Sequence, residues 1–196
     1  MAATRQGAAR NRVRLIGGAW RRRLLEFPSR PGLRPTPDRV RETVFNWLAP
    51  FLPGAVCLDL FAGSGAFGFE ALSRGAARAV LVEQDLEALA ALRANRAKLK
   101  ADDAEIVAGE ALGYLDGPAT AFDIVFLDPP YAGGLLNPCL DLLAGRGWLK
   151  AGGWIYLEAR EGEVLRLPTG WRLARSKTAG QVGYHLARTT RPEEAV

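Results

Sequence analysis

Four consecutive residues, Asp128-Pro129-Pro130-Tyr131, have the types and order for chemistry. They follow the run Phe122-Asp123-Ile124-Val125-Phe126-Leu127, which is short, β-branched and aromatic and reads as a buried strand. In an open α/β sheet, ligands sit at the carboxyl ends of strands, where these four residues fall. A residue before proline favours extended geometry, so Asp128 should project its carboxylate from the strand end. Pro129 and Pro130 lack an N–H and offer carbonyl acceptors on a stiff backbone. Tyr131 adds a flat ring for stacking. Two acceptors and a ring suit a planar heterocycle with an exocyclic amine, whose lone pair is delocalised and poorly nucleophilic. Acceptors for both N–H bonds favour a pyramidal nitrogen, and they bind more tightly as it becomes positive during attack. Taken alone, the tetrapeptide fits a strand end with a proline turn equally well.

A second cluster lies upstream. Ala55-Val56-Cys57-Leu58-Asp59-Leu60 reads as a strand, followed by Phe61-Ala62-Gly63-Ser64-Gly65-Ala66-Phe67-Gly68 and a helix through Leu72. Gly63, Gly65 and Gly68 satisfy the dinucleotide fingerprint, and Glu83 follows at the end of a second strand, Arg78–Glu83. An NAD-dependent oxidoreductase is therefore one reading. Asp59 argues against it, because a strand-end carboxylate repels a pyrophosphate. The same carboxylate attracts an ammonium and a sulfonium, and S-adenosylmethionine carries both without a phosphate. Glu83 is placed for two ribose hydroxyls. Glu110 follows a short strand at Ile106-Val107. It suits either an adenine amine or the start of a helix over Ala111–Leu115.

These residues need a scaffold, and 196 residues suffice for one domain with a real core. Asp85 can cap a helix over Leu86–Leu99 whose Leu86, Leu89, Arg93 and Arg96 suggest one packed face. A helix over Leu135–Leu143 and a fifth strand over Gly153–Glu158 follow. Trp171–Lys177 and Val182–Arg188 alternate around Thr178-Ala179-Gly180-Gln181 as a closing hairpin. Lys177 near that turn reads as a solvated strand-end lysine, with an RNA contact as the alternative, and His185, on the opposite pleat face from Tyr184, reads as non-catalytic. Upstream, Val13–Ile16 and Arg23–Phe27 flank Gly17-Gly18 as two short strands. Thr36 can N-cap a helix with Pro37 at its first position. Val40, Val44, Trp47 and Leu48 form its packed face, and Arg39, Arg41, Glu42 and Asn46 its polar one.

Charge is spread unevenly. The net charge is +5, yet residues 1–47 hold 11 arginines and 3 acids. A basic arm on a near-neutral body is a footprint for polyanion binding. Trp20 beside Arg21-Arg22-Arg23 suits RNA bases and phosphates, or else plugs the hairpin core. Cys57 and Cys139 sit in apolar settings and suit reduced thiols in a cytosolic protein. A single histidine and no Cys/His cluster exclude a protein-built zinc site. No run reaches a membrane span, and the Arg-rich start lacks the apolar core of a secretory signal. No feature stands out for self-association, so a monomer is expected.

The order Asp59–glycine loop, Glu83, Glu110, Asp128-Pro129-Pro130-Tyr131 resembles class I S-adenosylmethionine-dependent methyltransferases. Further motifs narrow it: Ile16-Gly17-Gly18-x-Trp20-Arg21, Gly32-Leu33-Arg34-Pro35-Thr36, Arg39-Val40-Arg41-Glu42 through Leu48, Leu72-Ser73-Arg74-Gly75-Ala76 and Ala179-Gly180-Gln181-Val182. Over roughly residues 13–187 the chain is similar to RsmD, the bacterial small-subunit rRNA guanine-N2 methyltransferase family. The resemblance implies a Rossmann-like, mostly parallel seven-stranded α/β sheet, with a C-terminal antiparallel hairpin and a small N-terminal hairpin. The small, polar and basic stretch over 1–11 reads as a flexible tail, and the resemblance implies an RNA and cofactor lid over 12–50 and a methyltransferase domain over 51–190. It also implies methylation of the exocyclic amine of guanine 966 of 16S rRNA during small-subunit assembly. By resemblance, Asp59, Phe61, Ala62, Gly63, Ser64, Gly65, Glu83 and Glu110 hold S-adenosylmethionine, and Asp128 to Tyr131 hold the target base. Arg34, Thr36, Arg39 and Glu42 then belong to a segment folding over cofactor and target, and Trp20, Arg21, Arg22 and Arg23 join them as substrate-facing residues on the strength of their own charge and ring. The family usually has Asp at the position of Glu110 and often Phe at that of Tyr131; the second change preserves stacking.

Two further readings compete. An adenine-N6 DNA methyltransferase would use the same four residues, but normally needs a target-recognition region for which this chain has no room. A non-catalytic assembly factor that only binds RNA and cofactor would not need an intact Asp128–Tyr131.

Overall fold

The fold is that of a computed structural model describing residues 10–29, 35–130, 133–160, 163 and 165–190. Two short strands come first, β1 (Arg10–Arg14) and β2 (Leu24–Pro28), paired antiparallel. Helix α1 (Asp38–Leu48) and a 3-10 turn (Ala49–Phe51) lead into alternating strands and helices. These are β3 (Val56–Asp59), α2 (Ala66–Ser73), β4 (Arg78–Glu83), α3 (Leu86–Leu99), β5 (Ala104–Ala108) and α4 (Ala111–Asp116). Then follow β6 (Phe122–Leu127), α5 (Leu136–Gly145), β7 (Leu149–Arg160), β8 (Trp171–Ala179) and β9 (Val182–Thr189).

Seven strands form one sheet in the order β5-β4-β3-β6-β7-β9-β8. The first five pair parallel, and β9 joins β7 and β8 antiparallel. This is the expected Rossmann-like architecture. Strand order reverses between β3 and β6, which puts the topological switch point between Asp59 and Asp128.

Alternation along the strands sends side chains to two cores. Cys57, Ala79, Leu81, Ile124, Phe126 and Tyr156 pack on one face with residues of α1, α2, α3 and the N-terminal hairpin. Leu58, Val80, Val125, Leu127 and Ile155 pack on the other with α4 and α5. Val13, Leu15, Leu25 and Phe27 belong to the first core, so the hairpin is built into the sheet domain rather than appended to it. The two buried cysteines lie on opposite faces and are free thiols.

Several local expectations change. The strands of the N-terminal hairpin flank a longer connection, 15–23, that docks on α2. Ile16 and Gly17 donate backbone N–H groups to the buried Glu70 carboxylate at 2.7 Å each. Ser73 Oγ accepts from the Trp20 N–H at 2.9 Å and donates to the Gly17 carbonyl at 2.6 Å. Gly18 has φ +72°, and a Cβ there would lie 1.7 Å from the Ser73 carbonyl oxygen, so this close approach requires glycine. On α3 the packed face is Ala88, Leu89, Leu92, Asn95 and Leu99; Leu86 is 80% exposed. The face turns because buried Asn95 pairs with the Glu26 backbone, accepting from its N–H at 3.1 Å and donating to its carbonyl at 2.8 Å. Asp85 caps α3 as expected, accepting from the N–H groups of Glu87 and Ala88.

Thr36 does not cap α1. Pro37 occupies the cap position without a side-chain bond, and the Thr36 hydroxyl points elsewhere. Arg41, expected on the polar face, is fully buried. It donates to the carbonyls of Thr36 and Arg14 and to Asp38 Oδ1. Those acceptors, with Glu70 Oε2 at 3.9 Å, compensate the burial of its charge.

Candidate active site

The loop after β3 is held by the two acids expected to meet a ligand. Asp59 is buried, and its Oδ2 accepts from the Gly68 N–H at 2.9 Å, with the Phe61 N–H as a second backbone donor. Burial pushes its carboxyl up to about 7 against these bonds, and Glu83 nearby adds repulsion. Glu83 Oε2 accepts from the Gly63 N–H at 2.7 Å, and its Oε1 from the N–H groups of Gln84 and Asp85 at 2.8 Å. Glu83 is thus pinned against the glycine loop while staying half-exposed.

The glycines have separate duties. Gly65 has φ +77° and starts α2; a Cβ there would lie 2.6 Å from the Phe69 ring and 2.7 Å from Leu92. A Cβ at Gly68 would lie 2.8 Å from the Leu81 side chain, so this residue lets α2 pack closely on β4. Ala62 and Ser64 are buried, and Phe61 is half-buried against the second core. Glu110 is exposed ahead of α4 and makes no capping bond with its side chain.

Across the switch point, Asp128 is half-buried just past β6. The Thr36 hydroxyl lies 3.2 Å from Asp128 Oδ2 and 2.8 Å from Glu158 Oε1, bridging the two acids. The Tyr156 hydroxyl also donates to Glu158 Oε1. Burial raises the Asp128 carboxyl well above its ordinary value; the neighbouring Glu158 charge raises it further, while the Thr36 bond lowers it. Glu158, at 5% exposure, is a site residue that sequence reasoning used only as a strand end. A charged residue at the carboxyl end of the strand beside Asp128 was the available signal.

An aromatic floor supports this corner. Phe126 of β6 lies 5.1 Å from Phe67 of α2 and 5.7 Å from Phe45 of α1 between ring centroids, and Phe67 lies 4.8 Å from Tyr156. Each such pair contributes about 0.5–1.5 kcal/mol beyond its area. It fixes α1, hence Thr36, against β6.

The remaining expected residues divide. The Pro130 carbonyl already accepts from the Gly133 N–H at 3.1 Å, which leaves Pro129, whose ring is buried, as the better placed carbonyl. Tyr131 and Arg34 lie outside the described residues, as do residues 1–9 of the expected tail over 1–11, whereas Arg10 and Asn11 belong to β1 and pair with β2. Trp20 is half-buried against the first core, the plug arrangement. Arg23 donates to the Lys98 carbonyl at 2.8 Å, and Arg21 and Arg22 are exposed. Arg39 and Glu42 are exposed on α1. No group of three or more His, Cys, Asp or Glu arranged for a metal occurs among the described residues, and none of their helices is long and apolar enough to cross a membrane.

Residues 13–188 match the family model described as "Conserved hypothetical protein 95". The Ribosomal RNA small subunit methyltransferase D of Escherichia coli K12 is 51% identical over 175 residues, covering 89% of this chain and 88% of that protein. Its Haemophilus influenzae counterpart is 43% identical, covering 91% and 94%. The solved structure of Escherichia coli yhhF superposes with a TM-score of 0.84 at 48% identity, over 92% of this chain and 99% of that one. A Thermus thermophilus 16S rRNA N2 G1207 methyltransferase, RsmC, in complex with AdoMet and guanosine, shares the fold at 21% identity (TM-score 0.66; 92% of this chain, 50% of that one). From the glycine loop to the Asp128 corner, then, this is a class I methyltransferase scaffold, and the chain belongs to the RsmD family.

Proposed function

We propose that this chain methylates the exocyclic N2 amine of a guanine in 16S rRNA, nucleotide 966, using S-adenosylmethionine during small-subunit assembly. The observation that carries the reading is the placing of two acids at the carboxyl ends of adjacent strands across the switch point, Asp59 at the end of β3 and Asp128 just past the end of β6. The relatives named small-subunit rRNA methyltransferases supply the RNA class.

The loop fits such a cofactor. Asp59 is a buried acid raised to about 7, a site where a neighbouring ammonium or sulfonium offsets the desolvation of the carboxylate. Glu83, pinned beside Gly63, presents a lone pair of Oε2 to ribose hydroxyls. When bound, S-adenosylmethionine supplies an electrophilic methyl group. Asp128 and the Pro129 carbonyl then accept the two N–H bonds of the target amine, directing its lone pair towards that methyl. On transfer the cofactor's sulfur would keep the electron pair of the bond to the methyl group, and the target nitrogen would lose one proton to Asp128 or water. Catalysis is mainly positioning plus stabilisation of the developing positive charge. The guanine must leave its stack to arrive, which is least costly in a loop.

The test incubates the protein with labelled S-adenosylmethionine and small subunits lacking the modification, then maps the label. Label at the guanine amine is expected, and Asp128→Ala should abolish it while cofactor still binds. Label in adenine of duplex DNA instead would overturn the assignment.

A further inference from the structure

Residues 164–190 hold Arg166, Arg172, Arg175, Lys177 and Arg188 and no Asp or Glu. This stretch supplies β8, the edge of the sheet, and β9. Strict alternation would send Arg172 to the opposite face from Arg175 and Lys177. It does not, because the register shifts between Leu173 and Arg175: Leu173 pairs with Ala187 and Arg175 with Leu186. The extra residue, Ala174, is a β-bulge. A bulge re-aims the side chains beyond it and is best treated as a designed feature. All three cations consequently share one face and are exposed.

The same face carries the active-site acid. Across the sheet Lys177 pairs with Tyr184 and Tyr184 with Glu158, so Lys177 stands two strands, roughly 10 Å, from Glu158. Aromatic rings interleave with the cations. Trp47 stacks on Tyr184 at 5.6 Å with Lys177 Nζ 6.0 Å from its ring centre, and Arg188 lies 5.7 Å from the Trp154 ring. Along the strand, Lys177 and Arg175 are two residues, about 7 Å, apart, comparable to the step between phosphates on an extended RNA strand.

We infer that the bulged face of β8, with Arg172, Arg175 and Lys177, is a docking track for the RNA backbone flanking the target nucleotide. The inference rests on the rRNA reading above and adds the surface that reading lacks. The occupant is RNA rather than an acidic polypeptide because the spacing of Arg175 and Lys177 matches the step between phosphates, and the row starts two strands from Glu158, which shares the Thr36 bridge with Asp128.

The test measures equilibrium binding of a 16S rRNA fragment containing the target guanine across a salt series. Wild type is compared with R172Q/R175Q/K177Q and with the charge-conserving swap R172L/L173R, which moves one guanidinium to the other face. The triple variant should bind at least ten-fold more weakly at about 0.1 M salt, with a log–log salt slope smaller by about 2. The swap should lose about 0.7 of slope at unchanged net charge. S-adenosylmethionine affinity and melting temperature, read in parallel, should match wild type in both. A triple variant that binds like wild type overturns the inference. So does a swap that retains full affinity while the triple variant weakens, since net charge alone would then explain the loss. Wild type that labels small subunits without binding the fragment sinks the track and leaves the methyltransferase; wild type that does neither sinks both. Loss of binding to an acidic polypeptide or anionic vesicles, with RNA binding intact, would assign the face to that partner instead.

Discussion

Thr36 donates its hydroxyl to Asp128 across 92 residues of sequence, at 3.2 Å, and so closes the segment before α1 over the acid that faces the target. Removing the hydroxyl leaves two neighbouring carboxyl groups without their bridge. Thr36→Val should lower kcat/KM roughly 10–100-fold, the range for a lost bond to a buried charged group, while Thr36→Ser stays near wild type. Steady-state methylation of small subunits reads both.

Glu158 raises the Asp128 carboxyl through its charge, after burial itself. Ionised, Asp128 is the stronger acceptor for the amine's N–H bonds and stabilises the positive charge developing on the nitrogen, so activity should fall as pH drops through its raised value. Glu158→Gln removes the neighbouring charge, lowers that value and shifts the acid limb of the kcat/KM profile to lower pH. The groups facing Asp128 are Thr36, Glu158 and, more distantly, Asp59. A limb that stays in place in the variant would exclude this coupling.

Asp59 ties stability to pH. Folded, its carboxyl titrates near 7; unfolded, near 3.8. Between these values the folded state binds the extra proton, so stability declines as pH rises from about 4 to about 7 and then levels off. The effect is on the order of a few kcal/mol, and Asp128 shifts in the same direction. Urea unfolding of the ligand-free protein across this range should show the decline, and Asp59→Asn should flatten it. S-adenosylmethionine should bind more tightly as pH rises through the window.

Gly18 and Gly54 separate two kinds of glycine requirement. Both have positive φ, +72° and +75°, but only Gly18 faces a backbone atom that a Cβ would strike. Gly54→Ala should lose about 1–2 kcal/mol from backbone strain alone. Gly18→Ala adds displacement of the loop from Ser73 and should lower the melting temperature several degrees further.

Cys57 and Cys139 should resist alkylation in the native state. Burial pushes the Cys139 thiol up to about 12 and Cys57 higher still. Labelling with a thiol reagent before and after denaturation checks this.

The sheet, its helices and the switch-point acids were legible because each is local: an apolar run, a turn signal, a carboxylate at the strand's end. Where local sequence misleads, a distant partner outweighs a local preference. Thr36 has good capping chemistry, but two carboxylates are stronger acceptors than backbone N–H groups at a helix start. Arg41 falls among polar positions of α1, yet the Arg14 and Thr36 carbonyls, Asp38 and Glu70 make its burial tolerable. Glu158 is marked in the sequence only as a charge near a strand's end, and the pairing of β6 with β7 is what brings it beside Asp128. The bulge at Ala174 inverts the parity that alternation assigns to Arg172.

The bond from Thr36 to Glu158 joins residues 122 positions apart. A ribosome making this chain releases the first partner long before the second, and the strands β3 to β6 are synthesised in between. The reactive corner therefore cannot close before β7 has emerged. A nascent chain halted before β7 could fold its glycine loop yet could not assemble the corner where the amine would be held.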